Sequence, residues 1–219
     1  MILTARALRK EYSRGGRPFL ALDDVSLSLA AGEFVCLTGR SGSGKSTLLN
    51  ILAGLLTPDA GSVSFAGREY GAMDDKDLSR LRNTRLGYIM QGHSLLPNFT
   101  VLQNVILPRV LFRRADDPTA RALDLLEQMG IRQLAAQYPA SLSGGELRRA
   151  AITRALLPAP ELLLADEPTG DLDEETAADI MRIFAAVTEK GTAVLMATHD
   201  AEAVSCGRRL LTMRSGRLV

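Results

Sequence analysis

Residues 39–46 carry the strongest chemical signal in the chain, because GRSGSGKS fits the pattern GxxxxGK[ST] at every fixed position. A short apolar run at 34–38 precedes them, and leucine and isoleucine recur at helical spacing after them, up to Gly54. Glycines let backbone N–H groups converge on an anion, and a helix that opens near Lys45 adds its positive dipole end. Lys45 should reach the β- and γ-phosphates, and Ser46 offers a hydroxyl to Mg²⁺. A Gly-Ser linker would lack the flanking strand and helix, so the pattern predicts a phosphate-binding loop.

Two adjacent carboxylates follow a second apolar run. Residues 161–165, ELLLA, have the pattern of a buried strand, and Asp166 and Glu167 come directly after it. Ligands of parallel α/β sheets bind at the carboxyl ends of the strands, so we expect both carboxylates to lie beside the phosphates. Asp166 would then hold Mg²⁺, directly or through water, while Glu167 could take a proton from an attacking water. A salt-bridged surface pair is the alternative interpretation.

Two further polar residues follow predicted strands. Gln91 comes after the strand pattern of 86–90, and His199 comes after that of 192–197. The same sheet edge would bring Gln91 to a bound ligand and His199 to its γ-phosphate. A lone histidine is usually structural, and for His199 both interpretations stay open at this point.

The segment SLSGGE predicts the start of a helix at 143–146. Ser143 and Glu146 have the spacing of a capping box, in which each side chain satisfies a backbone donor of the first turn. Gly144 and Gly145 leave that helix N-terminus bare, so it could also receive a phosphate. Further along the chain, Asp173 is expected to cap a helix that runs to about Lys190.

The remaining patterns predict an α/β fold. Alternation within 1–32 and again at 61–67 indicates a small antiparallel sheet, with residues 14–18 as a loop between strands. Tyr12 precedes this loop, and its ring could stack on a base or simply pack. From Thr100 a helix is expected to stop at Pro108, and another covers 118–129. A turn at 201–205 and a hairpin around 215–216 close the chain.

We therefore expect a P-loop core, a mostly parallel sheet flanked by helices, with an antiparallel β subdomain and an inserted α-helical subdomain. The whole chain, 1–219, forms one domain in this interpretation. The nucleotide-binding core with its antiparallel sheet would comprise 1–91 and 156–219, and the helical insert 92–155.

Composition limits the function classes. The 26 basic and 25 acidic residues give a net charge of +1, which gives no general attraction to nucleic acid. The longest apolar runs, such as 193–197, are far shorter than the ~18 residues of a membrane span, and no leader opens the chain. We expect a cytoplasmic protein in which Cys36 and Cys206 are small buried residues without chemistry.

Together, the motifs GRSGSGKST, Gln91, LSGGE, LLLADEP, DLD and the Thr198-His199 pair resemble the ATP-binding cassette (ABC) ATPase subunits, in that family's order and over essentially the whole chain. The resemblance implies ATP hydrolysis in a head-to-tail dimer, in which each of two ATP molecules lies between one subunit's phosphate loop and the other's LSGGE helix. It implies ATP and Mg²⁺ as cofactors.

The resemblance also implies roles for individual residues. Glu167 would be the general base, His199 would contact the γ-phosphate, and Ser46, Gln91 and Asp166 would hold Mg²⁺, with Asp166 acting through water. Asp171 and Asp173 would communicate across the dimer, and the trans contact would come from Ser143, Gly144, Gly145 and Glu146. The nucleotide-binding positions are Tyr12, which matches the family's adenine-stacking aromatic, and Gly39, Ser41, Gly42, Ser43, Gly44, Lys45, Ser46 and Thr47.

Within the family, YIMQGHSLLPNFTVLQNVILP and LADEPTGDLD look most like the subunits of lipoprotein release, macrolide export and the cell-division permease complex. That likeness implies an integral-membrane permease that docks near residues 91–112 and holds the ATPase on the inner face of the membrane. Three departures stand out: Glu146 replaces the commonest Gln, Leu147 and Arg148 follow where polar residues are usual, and Gly92-His93-Ser94 replaces a more aromatic sequence.

Other functions stay open as alternatives. The chain could be a regulatory ATPase of a cell-division-type permease complex that moves no substrate. A soluble cassette protein acting on DNA or the ribosome would carry a long coiled-coil insert or two cassettes, and neither feature is present. A GTPase is not expected, because no NKxD-type guanine motif follows the loop.

Overall fold

The computed structural model describes residues 1–92, 94–112, 117–170, 172–199, 204 and 207–219, without the side chain of Arg14. His93, the predicted communication residue Asp171, Cys206, which we expected to be buried, and four of the five residues of the turn at 201–205 lie outside the described residues. The strands are β1 (Leu3–Arg14), β2 (Arg17–Leu29), β3 (Phe34–Thr38), β4 (Ala60–Phe65), β5 (Arg68–Glu69), β6 (Leu86–Ile89), β7 (Leu162–Asp166), β8 (Ala193–Ala197), β9 (Arg209–Arg214) and β10 (Arg217–Leu218). The α-helices are α1 (Lys45–Leu52), α2 (Asp75–Arg85), α3 (Val101–Leu111), α4 (Thr119–Gln128), α5 (Gly144–Leu156) and α6 (Glu174–Glu189).

The small sheet is antiparallel, as predicted, with the strand order β2-β1-β4-β5. The expected loop at 14–18 is wrong in its extent, because β1 continues to Arg14 and β2 resumes at Arg17. Gly15 and Gly16 alone make the turn, with φ of 58° and 76°. Two consecutive residues with positive φ suit a two-residue hairpin turn whose twist matches the strands. Tyr12 therefore lies within a strand and pairs with Phe19.

The larger sheet has the order β10-β9-β3-β8-β7-β6. Its neighbours are parallel from β9 through to β6, and the β9–β10 hairpin at Ser215 and Gly216 is antiparallel, as predicted. Every residue of β7 and β8 is buried. Continuous apolar runs are typical of parallel strands that are covered on both faces, which is why these segments do not alternate.

Alternate residues of the central strands enter two hydrophobic clusters. Leu162 and Leu164 of β7 pack with α1 and the antiparallel sheet, whereas Leu163 and Ala165 pack with α3 to α6. This follows from the two-residue period of a strand, whose side chains point to opposite faces. Cys36 is buried in the second cluster, as predicted. The sheet is thus the middle layer between the two clusters, and the site can form at the carboxyl ends of its strands.

Helices α3, α4 and α5 pack on one another, and they give the molecule its predicted helical subdomain. The fold class is confirmed, while the residue bounds of the subdomain stay a prediction. The predicted end of α3 at Pro108 is wrong, because the helix runs on to Leu111. Proline removes one helical hydrogen bond, but the Pro108 carbonyl accepts a 2.7 Å hydrogen bond from Asn83 Nδ2 on α2. That tertiary contact holds the last turn of α3.

Candidate active site

The carboxyl ends of four parallel strands place the predicted residues at one sheet edge. The loop of 39–44 follows β3, Asp166 ends β7, His199 follows β8, and Gln91 follows β6. Backbone hydrogen bonds hold these ends together: the Glu167 N–H donates to the Ala197 carbonyl at 2.9 Å, and the Thr198 N–H to the Leu37 carbonyl at 3.1 Å. The polar residues therefore meet in one place because the strands are parallel and in register.

The loop before α1 depends on glycine at its two ends. A Cβ at Gly39 would overlap the Met213 carbonyl and lie 2.7 Å from Ser43 Oγ, and one at Gly44, where φ is 110°, would overlap the Ala21 carbonyl. Lys45 is 9% exposed, and its Nζ donates to the Gly39 carbonyl at 2.7 Å across the loop. The side-chain oxygen of Ser43 is buried without a hydrogen-bond partner. Glycines, a buried cation and an unsatisfied hydroxyl suit an anion.

Asp166 is 3% exposed. Burial raises the pKa of its carboxyl, as does the charge of Glu167, while a hydrogen bond from Ser46 and the charges of Lys45 and Arg148 lower it. The negative charge of this buried carboxylate is only partly compensated by its neighbours, so a bound cation would stabilise it.

Glu167 and His199 form a close pair at the mouth of the same region. Glu167 Oε2 lies 2.9 Å from His199 Nδ1. The carboxylate is largely buried, whereas the imidazole is largely exposed. Glu167 has φ of 50°, an uncommon conformation for a residue other than glycine. Such strain gathers at functional sites, where the surrounding structure enforces it. Here the hydrogen bond from its N–H to β8 is part of that enforcement.

These residues line one open cleft of about 940 Å³. Its walls include every described residue that we predicted for the loop, the base, the metal and the adenine: Tyr12, Gly39, Ser41, Gly42, Ser43, Gly44, Lys45, Ser46, Thr47, Gln91, Asp166, Glu167 and His199. The donors Ser46, Gln91 and Asp166 are all oxygen ligands, which suit Mg²⁺. Within the described ranges, no group of three or more His, Cys, Asp or Glu side chains could hold a metal ion. Mg²⁺ commonly keeps several waters and substrate phosphates as ligands, so two side-chain oxygens and one carboxylate fit it.

Phe19 and Arg148 are among the cleft-wall residues that were not predicted for the site from the sequence; the others are Ala21, Arg40, Gly92 and Gly170. The ring of Phe19 stacks with that of Tyr12, with 5.8 Å between centroids and 28° between planes. The adjacent glycines 15 and 16 could have revealed Phe19, because a two-residue turn fixes which residues pair across the hairpin. Arg148 lies in α5, and no local signal brings an arginine to a cleft wall.

The capping box at the start of α5 is confirmed. Ser143 Oγ accepts from the Glu146 N–H at 3.4 Å, and Glu146 Oε2 accepts from the Ser143 N–H at 2.7 Å and from its hydroxyl at 2.8 Å. These hydrogen bonds lower the pKa of Glu146. Ser143, Gly144, Gly145 and Glu146 do not line the cleft that holds the phosphate loop. Asp173 caps α6 by accepting from the Thr176 N–H at 2.9 Å, and it too lies away from the cleft.

Comparison with known proteins agrees with this geometry. Residues 22–170 match the family described as "ABC transporter". The chain is 45% identical over 222 residues to the lipoprotein-releasing system ATP-binding protein LolD of Pseudomonas syringae pv. tomato, covering all of this chain and 97% of that protein. It is 39% identical over 219 residues to the macrolide export ATP-binding/permease protein MacB of Burkholderia pseudomallei, covering all of this chain and 34% of that one.

A solved structure of a similar protein has the same fold. The ATP-binding cassette MJ0796, in a dimeric post-hydrolysis state bound to ADP and Pi, superposes with a TM-score of 0.94 at 35% identity, covering 99% of this chain and 96% of that one. The chain belongs to the ABC transporter family. It is an ATP-hydrolysing, ATP-binding subunit, similar to those of lipoprotein release and macrolide export. In the part of the chain that the structure describes, no helix has the length and apolarity needed to cross a membrane.

The raised pKa of Asp166 gives a prediction for the nucleotide-free protein. A carboxyl whose pKa is raised by folding stabilises the fold while protonated, and this contribution is lost as the pH rises through the folded pKa. We therefore expect Asp166→Asn to raise Tm at neutral pH, because the amide has no charge to desolvate and still accepts a hydrogen bond from Ser46. Thermal unfolding should show this advantage shrinking as the pH falls through the raised pKa of the folded protein, and lost below the ordinary value of 3.8.

Asp173→Asn is the matched control, for which we expect a change in Tm of the opposite sign. Hydrogen bonds from Thr176 lower the pKa of Asp173, so its ionised form stabilises the fold above 3.8, and the substitution should lower Tm at neutral pH. A lower Tm for Asp166→Asn at neutral pH would show that burial does not dominate at that carboxyl.

Proposed function

We propose that two copies of this chain close head to tail around two ATP molecules and use their hydrolysis to drive a membrane permease. The observation that carries this proposal is an incomplete site: the cleft gathers the phosphate loop, the metal donors and the base, whereas the capped N-terminus of α5 lies outside it. A second subunit would bring that helix to the open side of the cleft. The dimeric state reported for MJ0796 with ADP and Pi supports this arrangement.

The wall of the cleft suggests how ATP is held. Tyr12, with Phe19 stacked beside it, offers an aromatic surface to adenine at one end. The backbone of 39–47 surrounds the phosphates, and Lys45 exchanges its hydrogen bond to the Gly39 carbonyl for the β- and γ-phosphates.

The metal side of the site rests on Ser46, Gln91 and Asp166. Ser46 and Gln91 would ligate Mg²⁺, and Asp166 would hold it through water. When bound, the ion neutralises charge that develops on the transferring phosphoryl group. Asp166 already accepts a hydrogen bond from Ser46, which keeps two of these donors adjacent before any ligand arrives.

Hydrolysis needs a base for the attacking water. Glu167 is placed for this role, because its largely buried carboxylate lies at the strand end beside the phosphate loop. His199 Nδ1 orients the carboxylate in the resting protein and can turn its exposed ring toward the γ-phosphate. Water attacks the γ-phosphorus in line, Glu167 accepts its proton, and the bond from that phosphorus to the β–γ bridging oxygen breaks, so that ADP leaves. Lys45 and the partner's Ser143 stabilise the charge on the γ-phosphoryl oxygens. Asp171 and Asp173 would relay closure across the dimer.

The permease would dock along residues 91–112. Five large apolar side chains in this range are exposed: Leu96, Phe99, Val110, Leu111 and Phe112. Exposed apolar side chains that gather in one segment mark interaction surfaces. The protein would then sit in the cytoplasm on the inner face of the membrane, held by the permease. The relatives are named for lipoprotein release and macrolide export, so a purely regulatory ATPase is not favoured.

Glu167→Gln tests the base. The amide keeps the size of the side chain but cannot take a proton, so we expect ATP affinity to stay unchanged and kcat to fall by about 10²-fold or more. Equilibrium nucleotide binding and steady-state phosphate release measure the two effects. Turnover at the wild-type rate would remove Glu167 from the role of base.

Ser143→Arg tests the trans contact. In the Glu167→Gln background, light scattering should show ATP and Mg²⁺ doubling the mass from 23.6 kDa. Adding Ser143→Arg should abolish the doubling while each monomer still binds ATP, because the bulky cation would occupy the phosphate's place. Ser143→Ala is the control, since it removes the same cap without adding a side chain to the interface. A dimer that still forms with arginine at this position would contradict the composite site.

Leu111→Asp tests the docking surface. Leu111 is 69% exposed, so a charge there should leave folding and basal ATPase activity intact but weaken co-purification with the permease subunits of the same operon. Leu55→Asp is the matched control, because Leu55 is 51% exposed and lies after α1, outside the range. Equal recovery of the permease with both variants would place the docking surface elsewhere.

A further inference from the structure

Two arginines of α5 donate hydrogen bonds to Met90, Gly92 and Ser94, which lie on either side of Gln91. Arg148 Nη1 donates to the carbonyls of Met90, at 3.1 Å, and Gly92, at 3.2 Å. Arg154 Nη1 donates to the Ser94 carbonyl at 2.9 Å, and its Nη2 donates to Ser94 Oγ at 2.7 Å. Hydrogen bonds from α5 therefore hold the backbone on both sides of Gln91.

The Arg148 contact is built into the interior. Arg148 is 4% exposed, although its side chain reaches the wall of the ATP cleft. A buried guanidinium is costly unless acceptors surround it, and the planar group can direct several N–H bonds at fixed angles. The two carbonyls that it contacts belong to the residues immediately before and after Gln91, so Arg148 fixes the peptide groups that orient this side chain.

The backbone at Gly92 and Ser94 needs this support, because both residues have positive φ angles. Gly92 has φ of 86°, and Ser94 has φ of 47°, a conformation that a serine seldom adopts. Residues in sparsely populated backbone regions persist only where their surroundings hold them. Arg154 holds Ser94 by both its carbonyl and its hydroxyl. The backbone conformations of Gly92 and Ser94 thus depend on α5 and not on their own sequence alone.

We propose that Arg148 and Arg154 are positioning residues that form a two-point clamp, which fixes Gln91 to α5 and sets its place in the cleft. Because α5 begins at the Ser143 cap, the clamp joins the metal side of one nucleotide site to the helix that serves the other. This proposal rests on the role proposed above for Gln91.

Hydrogen exchange tests the clamp without relying on activity. Arg148→Met keeps the volume of the side chain but removes its donors, so amide exchange across 90–94 should rise by about tenfold or more. Arg154→Met should do the same through Ser94, and it serves as a second variant should Arg148→Met fail to fold. Arg121→Met is the matched control, because Arg121 Nε also donates to a backbone carbonyl, that of Leu157, at 2.8 Å, but outside this segment.

A double-mutant cycle tests whether Arg148 acts through Gln91. We expect Arg148→Met to lower kcat by about tenfold while KM for ATP changes by less than about threefold, and Arg148→Lys, which retains a donor, to fall between. In a Gln91→Ala background, Arg148→Met should change kcat by less than about twofold, because coupled residues are not additive.

The outcomes separate the clamp from the proposed function. Equal loss of kcat in both backgrounds, or unchanged exchange in 90–94 for both arginine variants, would overturn the clamp. Wild-type kcat for Gln91→Ala alone would remove Gln91 from the metal site and with it the functional link, while raised exchange would still establish the structural clamp.

Discussion

The parallel pairing of β3, β8, β7 and β6 is the constraint on which the rest of the molecule depends. Leu37 pairs with Ala197, Ala197 with Asp166, and Ile89 with Ala165, so the carboxyl ends of these strands lie side by side. The phosphate loop, the acidic pair, His199 and Gln91 come from distant parts of the chain, yet this register collects them in one cleft. A strand displaced by one residue would turn its buried side chains to the opposite face and remove its functional residue from the edge.

Three features of the active site lower the stability of the fold when no nucleotide is bound. Asp166 is buried with a raised pKa, Glu167 adopts an uncommon backbone conformation, and Ser43 Oγ is buried without a partner. Each feature costs stability in the resting fold, and each would be relieved or used when phosphates and a cation arrive. Functional groups that destabilise a nucleotide-free fold in this way are a common trade-off between stability and activity.

Arg148 and Arg154 of the helical subdomain contact the residues around Gln91 at the cleft. The N-terminus of α5 does not line the cleft of its own chain, while Met90, Gly92 and Ser94 accept hydrogen bonds from the same helix. This arrangement suits the proposed dimer, in which a second subunit would complete the nucleotide site and the exposed apolar side chains of 91–112 would contact a permease.

The amino-acid sequence by itself predicted the glycine-rich loop between a strand and a helix, the acidic pair at a strand end and the capping box at Ser143, because each depends on local spacing. The order of its strand and helix patterns predicted the fold class. It also predicted that Pro108 would end a helix, which is wrong, since a contact from Asn83 on another helix holds the last turn. Phe19 and Arg148 were missed for a similar reason: their positions depend on which residues pair across a hairpin and on which carbonyls surround a buried guanidinium. Such long-range contacts are decided by tertiary packing, and no local pattern encodes them.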